Sequence, residues 1–146
     1  MNRKNPDTGI KNLITKRVEF SASHRYWNNN WSEEKNREVF GKYSYEHGHN
    51  FLLEVTFEGV VDGDTGMIIN LFDIKHILNT VLKDFDHRNL NNENENFKAL
   101  IPTPENMASV FWTLIEGEIN IRNIQCKLYN VRLYETPELY VDYRRY

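Results

Sequence analysis

A single cysteine, Cys126, is the only thiol among the 146 residues. One cysteine closes no internal disulfide and anchors no cysteine-rich zinc site, a usage that suits a cytoplasmic protein. Long apolar runs are lacking too, since no stretch approaches the ~18–20 residues that a membrane-spanning helix needs. The opening residues Met1-Asn2-Arg3-Lys4-Asn5-Pro6 carry charge without an apolar segment behind them. Neither a secretory signal nor a membrane partner is therefore expected. Positive charge is in short supply as well. The formal charge is −3 and the pI about 6.0, so the overall basic surface that a nucleic-acid partner calls for is missing. Short basic runs such as Arg144-Arg145 read as solvated ends.

What remains is a composition of 40 % apolar and 27 % charged residues, which is that of a soluble globular chain of about one domain. Asparagine is abundant, in Asn28-Asn29-Asn30 and again at Asn89, Asn91, Asn92, Asn94 and Asn96, and reads as turn chemistry. Residues 1–15, with Pro6-Asp7-Thr8-Gly9, have no clear period and are expected to be a loose lead-in to one domain over 16–146. Val18, Phe20 and Ala22 then alternate with polar neighbours, which predicts a half-buried strand. A polar and aromatic excursion over 25–46 has room for a helical turn. A second strand places Phe51, Leu53, Val55 and Phe57 on one face. Leu71, Ile74, Leu78, Val81 and Leu82 share a helical face behind Asn70 as N-cap. Thr103-Pro104 opens a second helix as N-cap and first residue, ahead of Met107, Val110, Phe111, Leu114 and Ile115. Strands over 127–135 and 139–143 close the chain. The order β-β-α-α-β-β predicts an α+β domain: a four-stranded antiparallel sheet with two helices on one face. Such a sheet has two open edges, which makes association into a larger barrel plausible.

Three of the five histidines carry the chemistry. His47 and His49 stand at i and i+2, on one face if they lie on a strand. His24 ends the first strand on the parity of Phe20 and Ala22. If the first two strands pair, the three imidazoles converge, and three neutral imidazoles suit a catalytic zinc site with its fourth position open. The plain alternative is surface histidines without a metal. Asp86-His87 could be an oriented acid–base pair or merely a turn. Glu135 reads from the residues alone as a strand-end surface charge, though a buried carboxylate there would need a partner. His76 falls on the exposed side of its helix and reads as structural.

Several stretches, in this order, resemble the 6-pyruvoyl-tetrahydropterin synthase family: Phe20-Ser21-Ala22-Ser23-His24-Arg25, Val39-Phe40-Gly41-Lys42, His47-Gly48-His49-Asn50, Leu71-Phe72-Asp73, Asp86-His87-Arg88-Asn89-Leu90, Thr103-Pro104-Glu105-Asn106 and Tyr134-Glu135-Thr136. The likeness covers roughly residues 16–143. It implies the tunnelling fold (T-fold) in an oligomeric barrel, a homo-oligomer assembled as a hexamer of two stacked trimers, and active sites at subunit boundaries. It implies Zn2+ held by His24, His47 and His49, and Asp86 and His87 as a catalytic pair supplied by a neighbouring subunit. Glu135 would grip the pterin ring, with Thr103 and Glu105 lining the same pocket. A carboxylate suits that ring because an amino group and a ring N–H present parallel donors.

One position departs from the family pattern. Members carry a cysteine after the Phe-Gly-Lys segment as the proton-abstracting base, and here Tyr43 stands in that place. The glutamate that some relatives use three residues before His-Gly-His is Ser44. Glu46 adjoins His47 and points to the opposite strand face. A phenol, with a pKa near ~10, is a poorer base than a thiol. The resemblance therefore implies a zinc-dependent lyase that takes a pterin triphosphate, 7,8-dihydroneopterin triphosphate, to 6-pyruvoyl-tetrahydropterin with loss of triphosphate. The alternatives are formation of a 6-carboxy-tetrahydropterin or side-chain cleavage on the same scaffold, or a pterin- and zinc-binding protein with little turnover. Arg25, Lys42 and Arg88 are candidate phosphate contacts by charge and position.

Overall fold

A computed structural model describes residues 10–146. Of the expected lead-in, residues 1–9 lie outside the described residues, while 12–15 are already strand. The first strand, β1, runs Asn12–His24. It begins early because residues 12–17 pair with the far end of the next strand, β2 (His47–Gly59), in a continuous antiparallel register from Asn12↔Gly59 to His24↔His47. That first half of β1 is mostly exposed, so it lacks the apolar alternation that betrays a strand in sequence. The later half has it: Phe20, Ala22 and His24 are buried, as are Phe51, Leu53, Val55 and Phe57 on β2.

Between these strands lie helix α1 (Glu33–Phe40), capped by the Ser32 side chain, and a 3-10 turn over Gly41–Ser44. Helix α2 (Leu71–Leu82) starts where the Asn70 side chain accepts from the Phe72 amide. Its buried face is Ile74, Ile77, Leu78 and Val81. Leu71, expected on that face, sits instead in the first turn with Phe72, the two exposed at 62 % and 73 %. The Asn-rich segment forms a two-residue strand β3 (Arg88–Asn89), a short helix α3 (Leu90–Glu93) and a 3-10 turn over Glu95–Phe97. Helix α4 (Pro104–Ile121) opens as expected, with the Thr103 hydroxyl accepting from the Asn106 amide at 3.2 Å. Strands β4 (Lys127–Thr136) and β5 (Leu139–Tyr143) complete the order.

The sheet therefore has five strands rather than four, in the order β3-β1-β2-β4-β5. The addition is β3, which pairs parallel to β1 through Ala22↔Arg88 and Ser23↔Asn89. Two paired residues have no period, so no sequence pattern announces them. The core fills the space between one sheet face and helices α2 and α4. Phe20 stacks on Phe51 at 5.1 Å and meets Phe111 edge-on at 5.6 Å, while Phe85 stacks on Phe111 at 4.3 Å. No helix among the described residues is long and apolar enough to cross a membrane.

Candidate metal and pterin site

Strand register sets the positions of the histidines. His24 lies directly opposite His47, and His49 opposite Ala22, so all three side chains leave the same face at one end of the β1–β2 ladder. Their ring centroids are 4.7, 5.2 and 5.0 Å apart. Gly48 between them lets β1 come close, since a Cβ there would meet the Ala22 carbonyl at 3.3 Å.

The tautomers are fixed from behind. His24 Nδ1 lies 2.8 Å from the Pro102 carbonyl, and His47 Nδ1 2.8 Å from the Tyr45 carbonyl. A carbonyl only accepts, so both Nδ1 atoms donate there and leave Nε2 as the ring nitrogen offered to a ligand. Nε2 of His24, His47 and His49 are all buried without an aligned hydrogen-bond partner. Burial holds the His49 imidazole below its ordinary pKa, against the pull of Glu135. Three buried ring nitrogens without an aligned partner, gathered at one point, are costly unless a cation takes them. The ligand atoms of His24, His47, His49 and Glu135 lie within 4.8 Å of one another. A tetrahedral zinc shell needs them about 3.3 Å apart at bond lengths of ~2.0–2.1 Å, a modest contraction. The donor set fits that ion.

Glu135 is the main correction to the reading from residues alone. It is a buried carboxylate rather than a surface charge. Its Oε1 accepts from the Tyr26 hydroxyl at 2.7 Å and lies 3.1 Å from His24 Nε2 and 3.5 Å from His49 Nε2. Burial alone would raise its pKa, but His24 and Tyr26 outweigh that and hold the carboxyl below its usual range. Burial and the same carboxylate push the Tyr26 phenol well above its ordinary value. Tyr26 went unnoticed in the sequence because β1 ends at His24 and strand parity says nothing of a residue beyond it. Its ring stacks on Tyr43 at 5.7 Å, and Tyr43 lies 5.9 Å from the His47 ring. Tyr43 therefore borders the cluster on its exposed side. Glu46 does not, since its carboxylate is held by the Asn89 side-chain amide.

Thr103, the N-cap of α4, follows the Pro102 whose carbonyl fixes His24, and Glu105 lies in the first turn of α4. Glu105 is near enough that its charge raises the Tyr26 phenol further. The Asp86–His87 pair is real but elsewhere. His87 Nδ1 donates to Asp86 Oδ1 at 2.9 Å, and the same oxygen accepts from the Ser21 amide at 3.0 Å. Ser21 is on the opposite parity of β1 from His24. His87 has a φ of 60°, uncommon outside glycine, and its side chain is 82 % exposed. None of its contacts reaches the histidine cluster.

Comparison with known proteins gives the family. The family model described as 6-pyruvoyl tetrahydropterin synthase matches residues 13–146. A 6-pyruvoyl tetrahydrobiopterin synthase of Dictyostelium discoideum is 35 % identical over 133 residues, covering 90 % of this chain and 95 % of its own length. The Homo sapiens protein of that name is 34 % identical over 134 residues, covering 90 % of each chain. The solved structure of Caenorhabditis elegans 6-pyruvoyl tetrahydropterin synthase superposes with a TM-score of 0.86 at 32 % identity, over the full length of both chains.

Proposed function

We propose, for a chain that belongs to the 6-pyruvoyl tetrahydropterin synthase family, a zinc-dependent lyase that converts 7,8-dihydroneopterin triphosphate to 6-pyruvoyl-tetrahydropterin and triphosphate. The observation that carries the reading is the set of three buried, unpartnered Nε2 atoms beside a buried carboxylate. Zn2+ held by His24, His47 and His49 would supply Lewis acidity toward the substrate's side-chain hydroxyls. Glu135, kept ionised by its neighbours, accepts from the pterin amino group and ring N–H as a two-point grip. Tyr26 holds one oxygen of that grip and so fixes the carboxylate plane. Asp86 accepts the Nδ1 proton of His87, which leaves His87 Nε2 free to take and return a proton. Thr103 and Glu105 line the pocket beside the ring.

The reading is tested by incubating the purified protein with 7,8-dihydroneopterin triphosphate and separating the pterins by chromatography, with metal content measured on the same sample. The expected outcome is 6-pyruvoyl-tetrahydropterin, stoichiometric triphosphate and about one zinc per chain, the geometry of a three-imidazole site. Full zinc occupancy in a His47→Ala/His49→Ala double variant overturns the metal assignment. A 6-carboxy or 6-hydroxymethyl product, or no turnover by a zinc-loaded protein, overturns the reaction.

A further inference from the structure

The two asparagine-rich stretches, far apart in sequence, meet across one pocket. Asn28, Asn29 and Asn30 form one wall and Asn91 and Asn92 the other, enclosing about 480 Å3, the size of a small-ligand pocket. The walls are stitched together at Arg25. Its amide donates to Asn91 Oδ1 at 2.9 Å, and the Asn91 side-chain amide donates back to the Arg25 carbonyl at 3.0 Å. The pocket lining contains two cations, Arg25 and Lys98, and no carboxylate, in a chain of net charge −3. The Arg25 guanidinium lies 3.9 Å over the Trp27 ring, which pins it before any ligand arrives. Lys98 pairs with Glu95 at 2.9 Å, but both side chains are exposed, and such pairs contribute little. The side-chain amides of Asn30 and Asn92 make no hydrogen bond among the described residues, so their N–H groups are free to donate.

Two cations and free amide donors, with no carboxylate in the lining itself and Glu95 held only as the exposed partner of Lys98, constitute a receptor for an extended oxyanion. The pocket also adjoins the metal cluster on both walls. Arg25 follows His24, and Ile101 precedes Pro102, whose carbonyl holds His24 Nδ1. Lys42 and Arg88, the other candidate cations, do not line it. We propose that this pocket binds a polyphosphate chain through Arg25, Lys98 and the amides of Asn30 and Asn92. That the chain is the triphosphate of the substrate rests on the function proposed above; that it is polyphosphate does not.

The test uses the zinc-loaded full-length protein and three probes: inorganic tripolyphosphate, 7,8-dihydroneopterin triphosphate and unphosphorylated 7,8-dihydroneopterin. Affinities are read by calorimetry for the native chain, Lys98→Glu and Asn30→Asp. Lys35→Glu, the same charge change beside Trp31 and outside the pocket, is the control for bulk charge. Lys98→Glu and Asn30→Asp are each expected to weaken both phosphorylated probes roughly tenfold, the loss of one charge-assisted contact. Unphosphorylated dihydroneopterin and zinc content stay unchanged, and Lys35→Glu stays near native. Equal affinity of tripolyphosphate for native and Lys98→Glu protein overturns the pocket, as does an equal loss in Lys35→Glu. If tripolyphosphate binds in a Lys98-dependent way while neither pterin binds, the pocket stands and the pterin reading fails.

Discussion

At residue 43 the chain puts a phenol where the family pattern has a thiol, and the structure gives that substitution a definite setting. Tyr43 stands at the end of a 3-10 turn, half open to solvent, stacked on Tyr26 and 5.9 Å from the His47 ring. It lies outside the hydrophobic core, so replacing it leaves the core untouched. A thiol ionises far closer to neutrality than a phenol, and a positioned general base contributes roughly 10²–10⁴-fold. Tyr43→Cys should therefore raise triphosphate release by at least about tenfold, allowing for imperfect placement, with zinc content unchanged. Glu46→Ala, whose carboxylate is tied to Asn89, should change the rate less than about twofold, the scale of a surface substitution. Steady-state rates of the two variants decide this. Loss of turnover in Glu46→Ala, with no gain in Tyr43→Cys, moves the base to Glu46.

Among the elements, the β4–β5 hairpin carries Glu135 and has its own electrostatic clasp. Arg132 and Asp142 face each other in register and join through two hydrogen bonds, of 2.8 and 3.0 Å, with the Arg132 guanidinium 4.2 Å over Tyr140. The Arg132 bond, foremost, holds the Asp142 carboxyl below its usual value. A carboxyl with a depressed folded pKa contributes stability above its unfolded pKa, near ~3.9, and loses it as pH falls through the folded value. Both side chains are about one-third exposed, at 31 % and 34 %, so screening limits the pair to about 0.5–1 kcal/mol. Urea unfolding of Asp142→Asn should show that loss at pH 7 and converge with the native protein as the pH falls below the ordinary carboxylate range; a pH-independent difference would assign the effect to shape rather than charge. The hairpin also shows where sequence reading ends. Alternation and capping made β2, the buried half of β1 and the start of α4 legible, because their signals are local. The strand parity of His24, His47 and His49 made their convergence legible for the same reason. Glu135 reads as a surface charge from the residues alone because its partners are Tyr26, 109 residues earlier, and His24. β3 and the exposed start of β1 were missed because pairing, not periodicity, defines them.

The whole molecule leaves its chemistry in two parts. The histidine cluster with Glu135 is buried on one face of β1, while Asp86 and His87 are anchored to Ser21 on the other parity, exposed at 44 % and 82 %. The outer edges of β5 and of most of β1 have no strand partner among the described residues, and edges of this kind invite pairing with another copy. If copies join edge to edge into a hexameric barrel, the dyad of one chain can complete the cluster of the next. The two halves then belong to different subunits, and that is testable by complementation. His49→Ala lacks the cluster and His87→Ala lacks the dyad, so each alone should be inactive. Refolded together in equal amounts, a site is complete only where an intact cluster meets an intact dyad. Random assembly then restores about one quarter of native activity per site, the product of two one-half probabilities in a closed ring. A site built within one chain restores none, because every chain in the mixture carries a lesion. Light scattering on the same sample must show an oligomer, and recovered activity from a monomer would refute the shared site.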